Sequence, residues 1–415
     1  MKILIYGLNY APELTGIGKY TAEMAEALVL LGHDVRVVCA PPYYPEWRVA
    51  QDYSPLRYRC EVVRGVHVWR APLWVPAQPS GATRMMHLAS FALSSLPLLL
   101  RQAFWCPDVV MTIAPALMCA PAAAALARLT GAKSWLHIQD FEVDAAFNLG
   151  LLKGAKAARI ARAVERALMR RFDVVSSISN RMVERAQRLG VDADKTFSLP
   201  NWVDTKVIYP LGRASGYRQE LDIPAGNKVV LYSGNMGAKQ GIEFLAAAAA
   251  RLVERTDISF VFCGDGATKA ELMKRCNGLP NCRFIALQPA ERLNELLNLA
   301  DIHVLPQRGD AADLVMPSKL TGMLASGGAI IAMARPETEL YAAVAPRGVV
   351  VPPENVEALA GAITGLADDP LRRVRLGAAA RRFAEETLAP AAVLGRLDAR
   401  LITTASGKSA AVFRG

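Results

Sequence analysis

The chain is short of the features that define several protein classes. Its seven cysteines, Cys39, Cys60, Cys106, Cys119, Cys263, Cys276 and Cys282, are scattered, odd in number and without a Cys-x-x-Cys pair. That argues against a zinc or thiol-redox centre and fits reduced cysteines in a cytosolic protein. A clean run of about eighteen apolar residues, as a spanning helix requires, is missing. The most membrane-like stretch, Leu88–Trp105, is interrupted by Pro97 and Arg101. Met1-Lys2-Ile3-Leu4-Ile5-Tyr6-Gly7 is too short and too quickly broken for a signal peptide and reads as a buried first strand. No Gly-x-Gly-x-x-Gly follows that strand, and no Gly-Lys-Ser/Thr closes a later glycine loop, so dinucleotide-binding and P-loop ATPase readings are weak. Charged residues are only 21% of the chain against 52% hydrophobic, which excludes disorder as the default.

What is present is enough apolar sequence for two cores in 415 residues. Short apolar runs alternate with helical patterns. Strands are predicted at Lys2–Tyr6, Asp34–Cys39, Val109–Ile113, Lys133–Ile138, Asp173–Ser177 and Thr196–Leu199, with an amphipathic helix over Tyr20–Leu31. A second series follows at Val229–Ser233, Ser259–Cys263, Arg283–Ala286, Ile302–Leu305, Ala329–Ala332 and Gly348–Val351. The expected fold is α/β, with two doubly wound, parallel-sheet (Rossmann-like) domains facing across a cleft. Their expected extents are 1–205 for an acceptor-binding domain and 206–385 for a nucleotide-sugar-binding domain. Residues 386–415 are expected to form a helix and frayed tail packing back on the first domain. The polar stretch Pro210–Gly226 reads as the linker.

Ligands of such sheets bind where strands end and helices begin, and five segments fall there. Gly7–Gly18 contains Thr15-Gly16-Ile17-Gly18-Lys19-Tyr20, whose glycines allow close backbone approach and whose helix start favours an anion; it also reads as a tight turn with no ligand. His137-Ile138-Gln139-Asp140-Phe141-Glu142-Val143-Asp144 gathers carboxylates that can position a hydroxyl or stabilise a positive reacting centre. Asp140 comes first after the strand, Glu142 and Asp144 read equally as a solvated loop, and His137 points into the sheet. Ser233-Gly234-Asn235-Met236-Gly237-Ala238-Lys239-Gln240-Gly241 suits a diphosphate. Cys263-Gly264-Asp265-Gly266 is by itself only a turn signal, and near a nucleotide it can pass under the base or ribose. In Asp313-Leu314-Val315-Met316-Pro317-Ser318-Lys319-Leu320, Ser318 is expected to cap a helix and Lys319 to lie near its free N–H groups, a diphosphate site or an ordinary capped helix.

Taken in order, these motifs resemble those of retaining family-4 glycosyltransferases of the GT-B fold. The likeness runs over nearly the whole chain, through Leu199-Pro200-Asn201-Trp202-Val203-Asp204 to Ala325-Ser326-Gly327. More closely, the sequence resembles the colanic-acid-type exopolysaccharide fucosyltransferase branch. The residues that carry this are Tyr6-Gly7-Leu8-Asn9-Tyr10-Ala11-Pro12-Glu13-Leu14-Thr15-Gly16-Ile17-Gly18-Lys19-Tyr20, Ala40-Pro41-Pro42-Tyr43-Tyr44-Pro45 and Met316-Pro317-Ser318-Lys319-Leu320-Thr321. The resemblance implies transfer of a sugar, fucose from GDP-fucose, with retention at the anomeric carbon, onto a lipid-linked saccharide acceptor. Alternatives are another GT-B enzyme using a UDP-sugar, transferase or 2-epimerase, and a non-catalytic nucleotide-sugar binder.

The resemblance assigns Asp140, Lys239 and Lys319 to catalysis. It assigns Gly234, Asn235, Gly264, Gly266, Pro317, Ser318 and Lys319 to the donor, and Gly16, Gly18, Lys19 and Tyr20 to the acceptor. The sequence also departs from the family. Asn235 replaces an arginine, and Gln240 holds the place of a lysine, with Lys239 one position earlier. Gln139 aligns with the family histidine, and the paired glutamates fall near Leu314 and Gly322. Diphosphate contacts are therefore expected on Lys239, Ser318 and Lys319. No metal and no other cofactor is expected.

The net charge of +10 raises the question of a polyanionic partner. Residues 150–172 carry Lys153, Lys156, Arg159, Arg162, Arg166, Arg170 and Arg171 against Glu165, with Ile160, Val164 and Leu168 as apolar positions. This basic amphipathic pattern is expected to lie on an anionic membrane surface, or else to be a solvated helix face packed on the sheet. An aromatic-studded basic groove is lacking, so no nucleic-acid partner is expected. The expected location is cytoplasmic, peripheral on the inner face of the plasma membrane.

Overall fold

The computed structural model describes residues 1–13, 16–78, 80–114, 117–141, 155–237, 240–309 and 317–407. The chain forms two compact units. One is Met1–Leu199 with the tail from Leu394, the other Pro200–Val393, so the break falls a few residues before the expected 205.

The first unit is built on β1 (Lys2–Tyr6), β2 (Asp34–Cys39), β3 (Arg59–Val63), β4 (Val66–Arg70), β5 (Val109–Ala114), β6 (Lys133–Ile138), β7 (Val174–Ser177) and β8 (Thr196–Ser198). Among the described residues these form one sheet in the order β3-β4-β2-β1-β5-β6-β7-β8. Only β3 and β4 are antiparallel. The second unit carries β9 (Lys228–Ser233), β10 (Ile258–Cys263), β11 (Cys282–Ile285), β12 (Ile302–Leu305), β13 (Ala329–Met333) and β14 (Val349–Val351). Their order is β11-β10-β9-β12-β13-β14, all parallel. Helices cover both faces of such sheets, which is why β5 and β10 are buried at every position and read as unbroken apolar runs. In each sheet the winding reverses beside the first strand, at β1/β5 and at β9/β12. Crevices open at the carboxyl ends there, directly above the loops after Tyr6 and after Ser233.

Two expectations, the first helix start and the linker, are corrected, and the structure adds two features the sequence reading did not assign. The hairpin β3–β4 gave no apolar run in sequence, because β3 is a largely exposed edge carrying Arg59 and Glu61. Its turn, Arg64-Gly65, has both φ angles positive (47° and 83°), the conformation that matches strand twist in two-residue hairpins. The first helix begins at Gly16 instead of Tyr20. Leu88–Trp105 is not one element: helices Gly81–Ser94 and Leu96–Ala103 meet at Ser95, where Pro97 starts the second. Pro210–Gly226 is not a free linker. Tyr217 is buried, Arg218 pairs with Asp301 at 2.8 Å, and Glu295 accepts from the Gly216 N–H at 2.6 Å and pairs with Arg213 at 2.9 Å. Among the described residues no helix is long and apolar enough to cross a membrane.

The helix Pro390–Ala405 starts in the second unit and from Leu394 belongs to the first. There His33 Nε2 lies 2.7 Å from Asp398 Oδ1, and Arg400 donates to the Asp194 carbonyl. At the other edge, Arg70 is buried and bonded to Glu61 at 2.6 Å, to the Ala40 carbonyl at 2.9 Å and to the Ala11 carbonyl at 2.5 Å. Removing one partner of a buried pair leaves an uncompensated charge. Glu61→Ala is expected to cost about 3 kcal/mol of stability, read from the urea midpoint, and Glu61→Gln less. An unchanged midpoint in Glu61→Ala would show that Arg70 does not depend on its ion pair.

Candidate active site

In the second unit the loops after β9 and β10 run side by side beyond the sheet. Gly234 N–H donates to the Cys263 carbonyl at 3.0 Å, and Met236 N–H to the Asp265 carbonyl at 2.8 Å. Thr268 closes the arrangement, donating to the Met236 carbonyl from its hydroxyl at 2.7 Å. So close an approach demands glycine. A Cβ on Gly264 would lie 1.9 Å from the Gly234 carbonyl oxygen, and one on Gly266 2.5 Å from that of Met236. Both also have φ near 150°, where L residues are strained. Glycine here leaves backbone at the surface that a ligand can meet.

Lys319 approaches the first of these loops. Its Nζ donates to the Tyr232 hydroxyl at 3.1 Å and to Gln240 Oε1 at 3.4 Å, and sits 4.2 Å from the centre of the Tyr232 ring. Tyr232 in turn donates to the Asn235 carbonyl at 2.5 Å. The lysine stem packs on Gly234, where a Cβ would meet Cδ at 3.4 Å. No carboxylate pairs with this ammonium among the described residues, and desolvation lowers its pKa to about 7. The helix Ser318–Ser326 begins alongside. Its N-cap is Pro317 and no side chain caps it, so the expected hydroxyl cap from Ser318 is not made; Ser318 is the first helical residue. An uncapped first turn presents N–H groups and the positive end of the helix dipole. Glycine backbone, an uncapped helix start and an uncompensated lysine together make a cradle for a diphosphate.

In the first unit the loop between β1 and the helix Gly16–Leu30 is organised by Glu13, a residue the sequence reading had only as part of a motif. Buried Glu13 accepts from the N–H groups of Tyr43 and Tyr44, each at 3.1 Å, and from Asn9 Nδ2 at 2.9 Å. Burial holds its pKa above the usual carboxylate range. Gly18 is glycine because a Cβ would fall 2.6 Å from Glu13 Oε2. Gly16 has φ 60° and stands at the helix start. Lys19 points outward, 3.8 Å from Glu23, whereas Tyr20 is buried, with a pKa raised to about 12 by desolvation.

Asp140 is exposed just after β6. One strand, β5, separates β6 from β1, so their ends stand roughly 10 Å apart. His137 is buried in the sheet as expected. Its Nδ1 lies 2.9 Å from Ser176 Oγ and its Nε2 accepts from Gln139 at 3.1 Å, with a pKa lowered to about 4 by burial. It thus holds Gln139, the residue in the family histidine's place. Lys239, Leu314, Glu142, Asp144, Thr15 and Asp313 lie outside the described residues.

Residues 15–202 match the glycosyl transferase 4-like domain and residues 215–383 the glycosyl transferases group 1 domain. A relative in Escherichia coli (strain K12), WcaI, named as a candidate colanic acid biosynthesis glycosyl transferase, is 45% identical over 401 residues, 94% of this chain and 96% of its own. The chain is a family-4 glycosyltransferase of the GT-B fold. Two solved structures share that fold. Sucrose-phosphate synthase (tll1590) from Thermosynechococcus elongatus aligns at TM-score 0.73 and 19% identity over 97% of this chain and 100% of its own. Anabaena Alr3699/HepE, solved with UDP and glucose, aligns at TM-score 0.65 and 14% identity over 97% and 100%.

Gly322, at the place of the second family glutamate, faces Leu297, whose Cδ1 would be 3.2 Å from a Cβ. A side chain there needs Leu297 to give by a few tenths of an ångström. The chain also holds an Asp-x-Asp, Asp192-Ala193-Asp194, which the sequence reading passed over. It lies at the amino end of β8, away from the ligand-binding edge, with Asp192 paired to Lys195 at 3.2 Å.

Lys319 supplies a pH signature. Its folded pKa near 7 lies below the ordinary 10.5, so folding releases a proton in that window and the cost of burying the lysine is relieved as pH rises through it. A bound diphosphate reverses the effect by favouring the ammonium. Nucleoside-diphosphate binding at pH 8–9 is therefore expected to take up most of one proton, and affinity to fall with rising pH. Calorimetry in buffers of different ionisation enthalpy measures this. Uptake that persists in Lys319→Met would remove Lys319 from the site.

Proposed function

We propose that this glycosyltransferase moves a sugar from a nucleoside-diphosphate donor, fucose from GDP-fucose, onto a lipid-linked saccharide in exopolysaccharide biosynthesis, with retention at the anomeric carbon. The observation that carries the donor part is the cradle of Gly234, Gly264, Gly266 and Lys319. The near-full-length likeness to WcaI supports the pathway, and the UDP and glucose in the HepE structure agree with a sugar nucleotide on this fold.

The difficult event is departure of the nucleoside diphosphate. Negative charge grows on its oxygen while the sugar becomes oxocarbenium-like. In our reading the helix start at Pro317-Ser318, the Asn235 loop and Lys319 stabilise that charge, together with Lys239. Asp140 faces the reacting sugar or the acceptor hydroxyl, and Gly16, Gly18 and Lys19 line the acceptor side; Tyr20, being buried, supports that loop from beneath. The helix Ala155–Met169 turns Ile160 and Val164 outward among Arg159, Arg162 and Arg166. That supports a cytoplasmic enzyme lying on the inner face of the membrane, where a lipid-linked acceptor is found.

Titration with GDP, UDP and ADP without added metal tests the donor. Binding of GDP alone is expected. A preference for UDP would keep the transferase and remove the fucosyl assignment, and binding of none would point to a non-catalytic role. In turnover, Lys319→Ala is expected to lower kcat by about 100- to 1,000-fold, the usual loss when one donor to a developing anion is removed. A loss confined to KM would show that Lys319 binds substrate without stabilising the leaving group.

A further inference from the structure

Between β2 and β3 the chain runs through residues 40–58 without a helix or a strand. So long a connection inside a compact unit is usually functional. This one is folded on itself. The Arg48 N–H donates to the Tyr43 carbonyl at 3.2 Å, the Ala50 N–H to that of Pro42 at 3.0 Å and the Tyr53 N–H to that of Ala50 at 3.0 Å. Its far end is tied to the segment after β4, where the Leu73 N–H donates to the Pro55 carbonyl at 2.9 Å. Residues 46–51 line two cavities. One, of about 530 Å³, is bounded by Pro12 and Glu13 of the loop after β1. The other, of about 870 Å³, reaches Trp74 and Ser90. Both have the size of small-molecule sites, roughly 300–1,000 Å³.

The walls combine aromatic rings with unpaired polar groups. Trp74 is 44% exposed and Tyr44 42%. Trp74 is fixed by its backbone: its N–H donates to Ser90 Oγ at 3.1 Å and its carbonyl accepts from His87 Nδ1 at 2.7 Å. Both partners come from the helix Gly81–Ser94. The indole itself is stacked on no other ring among the described residues. Trp47 lines the larger cavity with φ 52°, a conformation that bulky residues avoid and that is kept where surrounding structure imposes it. Its ring is held 5.3 Å from that of His87 and 5.7 Å from that of Tyr43. Glu46, Arg48 and Gln51 line both cavities, are exposed, and make no side-chain hydrogen bond or ion pair among the described residues.

We infer that this groove holds the saccharide of the acceptor, with a pyranose stacked on Trp74 and its hydroxyls bonded by Glu46, Arg48 and Gln51, which thereby select the sugar. The inference rests on the acceptor side of the proposed function and is joined to it by Tyr44, whose Cε1 lies 3.9 Å from where a Cβ on Gly16 would stand. A pyranose offers a face of C–H groups and a rim of hydroxyls. The face suits the negative π surface of an indole. The rim needs donors and acceptors together, which a carboxylate, a guanidinium and an amide supply. A hydrocarbon chain would cover Trp74 but take Glu46 and Arg48 out of water with nothing to bond.

Calorimetry of the purified full chain, without donor, tests this with the methyl glycosides of glucose, galactose, mannose and fucose and with maltose, cellobiose and lactose. Binding of at least one is expected. Trp74→Ala is expected to weaken it about tenfold, the measure of a lost aromatic contact, while Trp74→Phe keeps most of the affinity. Both are expected to retain the parent's melting temperature and nucleoside-diphosphate binding. The double variant Glu46→Ala, Gln51→Ala is expected to change which saccharide binds best, and it decides the matter if Trp74→Ala does not fold. Absence of saccharide binding, or binding that none of these variants alters, overturns the inference. So does Trp74-dependent binding of dodecyl phosphate without any saccharide, which would give the groove to a hydrocarbon chain. If saccharide binds and no nucleoside diphosphate does, the donor reading falls and the groove stands; the reverse result removes the groove and leaves the donor reading.

Discussion

Beyond the ends of β9 and β10 the backbone still pairs, through the Met236 N–H and the Asp265 carbonyl, and the arrangement around Lys319 depends on that pairing. It satisfies polar groups that would otherwise need side-chain partners, and it works only because Gly264 and Gly266 bring nothing between the two chains. With the loops held this way, Tyr232 donates its hydroxyl proton to the Asn235 carbonyl and accepts from Lys319 on the same oxygen. A lysine held by a phenol and an amide, with no carboxylate paired to it among the described residues, can meet an anion.

Much of this was legible in sequence because parallel sheets write themselves plainly. Ile258–Cys263 is apolar throughout since both faces are covered, and the glycine loops follow such runs directly. What failed had local reasons. The edge strand Arg59–Val63 faces solvent and pairs its charges, so it has neither an apolar run nor clean alternation. Pro210–Gly226 looked like a linker because its polar residues bond to Glu295 and Asp301, far along the chain. Glu13 was invisible as an organiser because two of its three partners are backbone N–H groups, which leave no mark in a sequence. The expected Ser318 cap is not made: Pro317 takes the cap position and Ser318 is the first helical residue.

The chain's excess of basic residues was equally legible as a number and illegible as a distribution. Structure divides it into two kinds of positive charge. Lys319 is desolvated, and its proton can respond to a ligand. Arg101, Arg128, Arg159 and Arg166, on the helices between β4 and β7, are exposed to water and fixed in charge. One kind suits recognition at a point, the other attraction over an area.

The loop after β1 has a kinetic meaning of its own. It is tied by Arg70 to the Ala11 carbonyl across 59 residues and by Glu13 to the Tyr43 N–H across 30. Neither tie can form until the strand edge that bears Arg70 and the segment that bears Tyr43 have come into place. Contacts so distant in sequence are costly to close and are made late. The order of this loop therefore registers whether the first sheet has been completed, and a chain still assembling that edge holds no finished loop after β1.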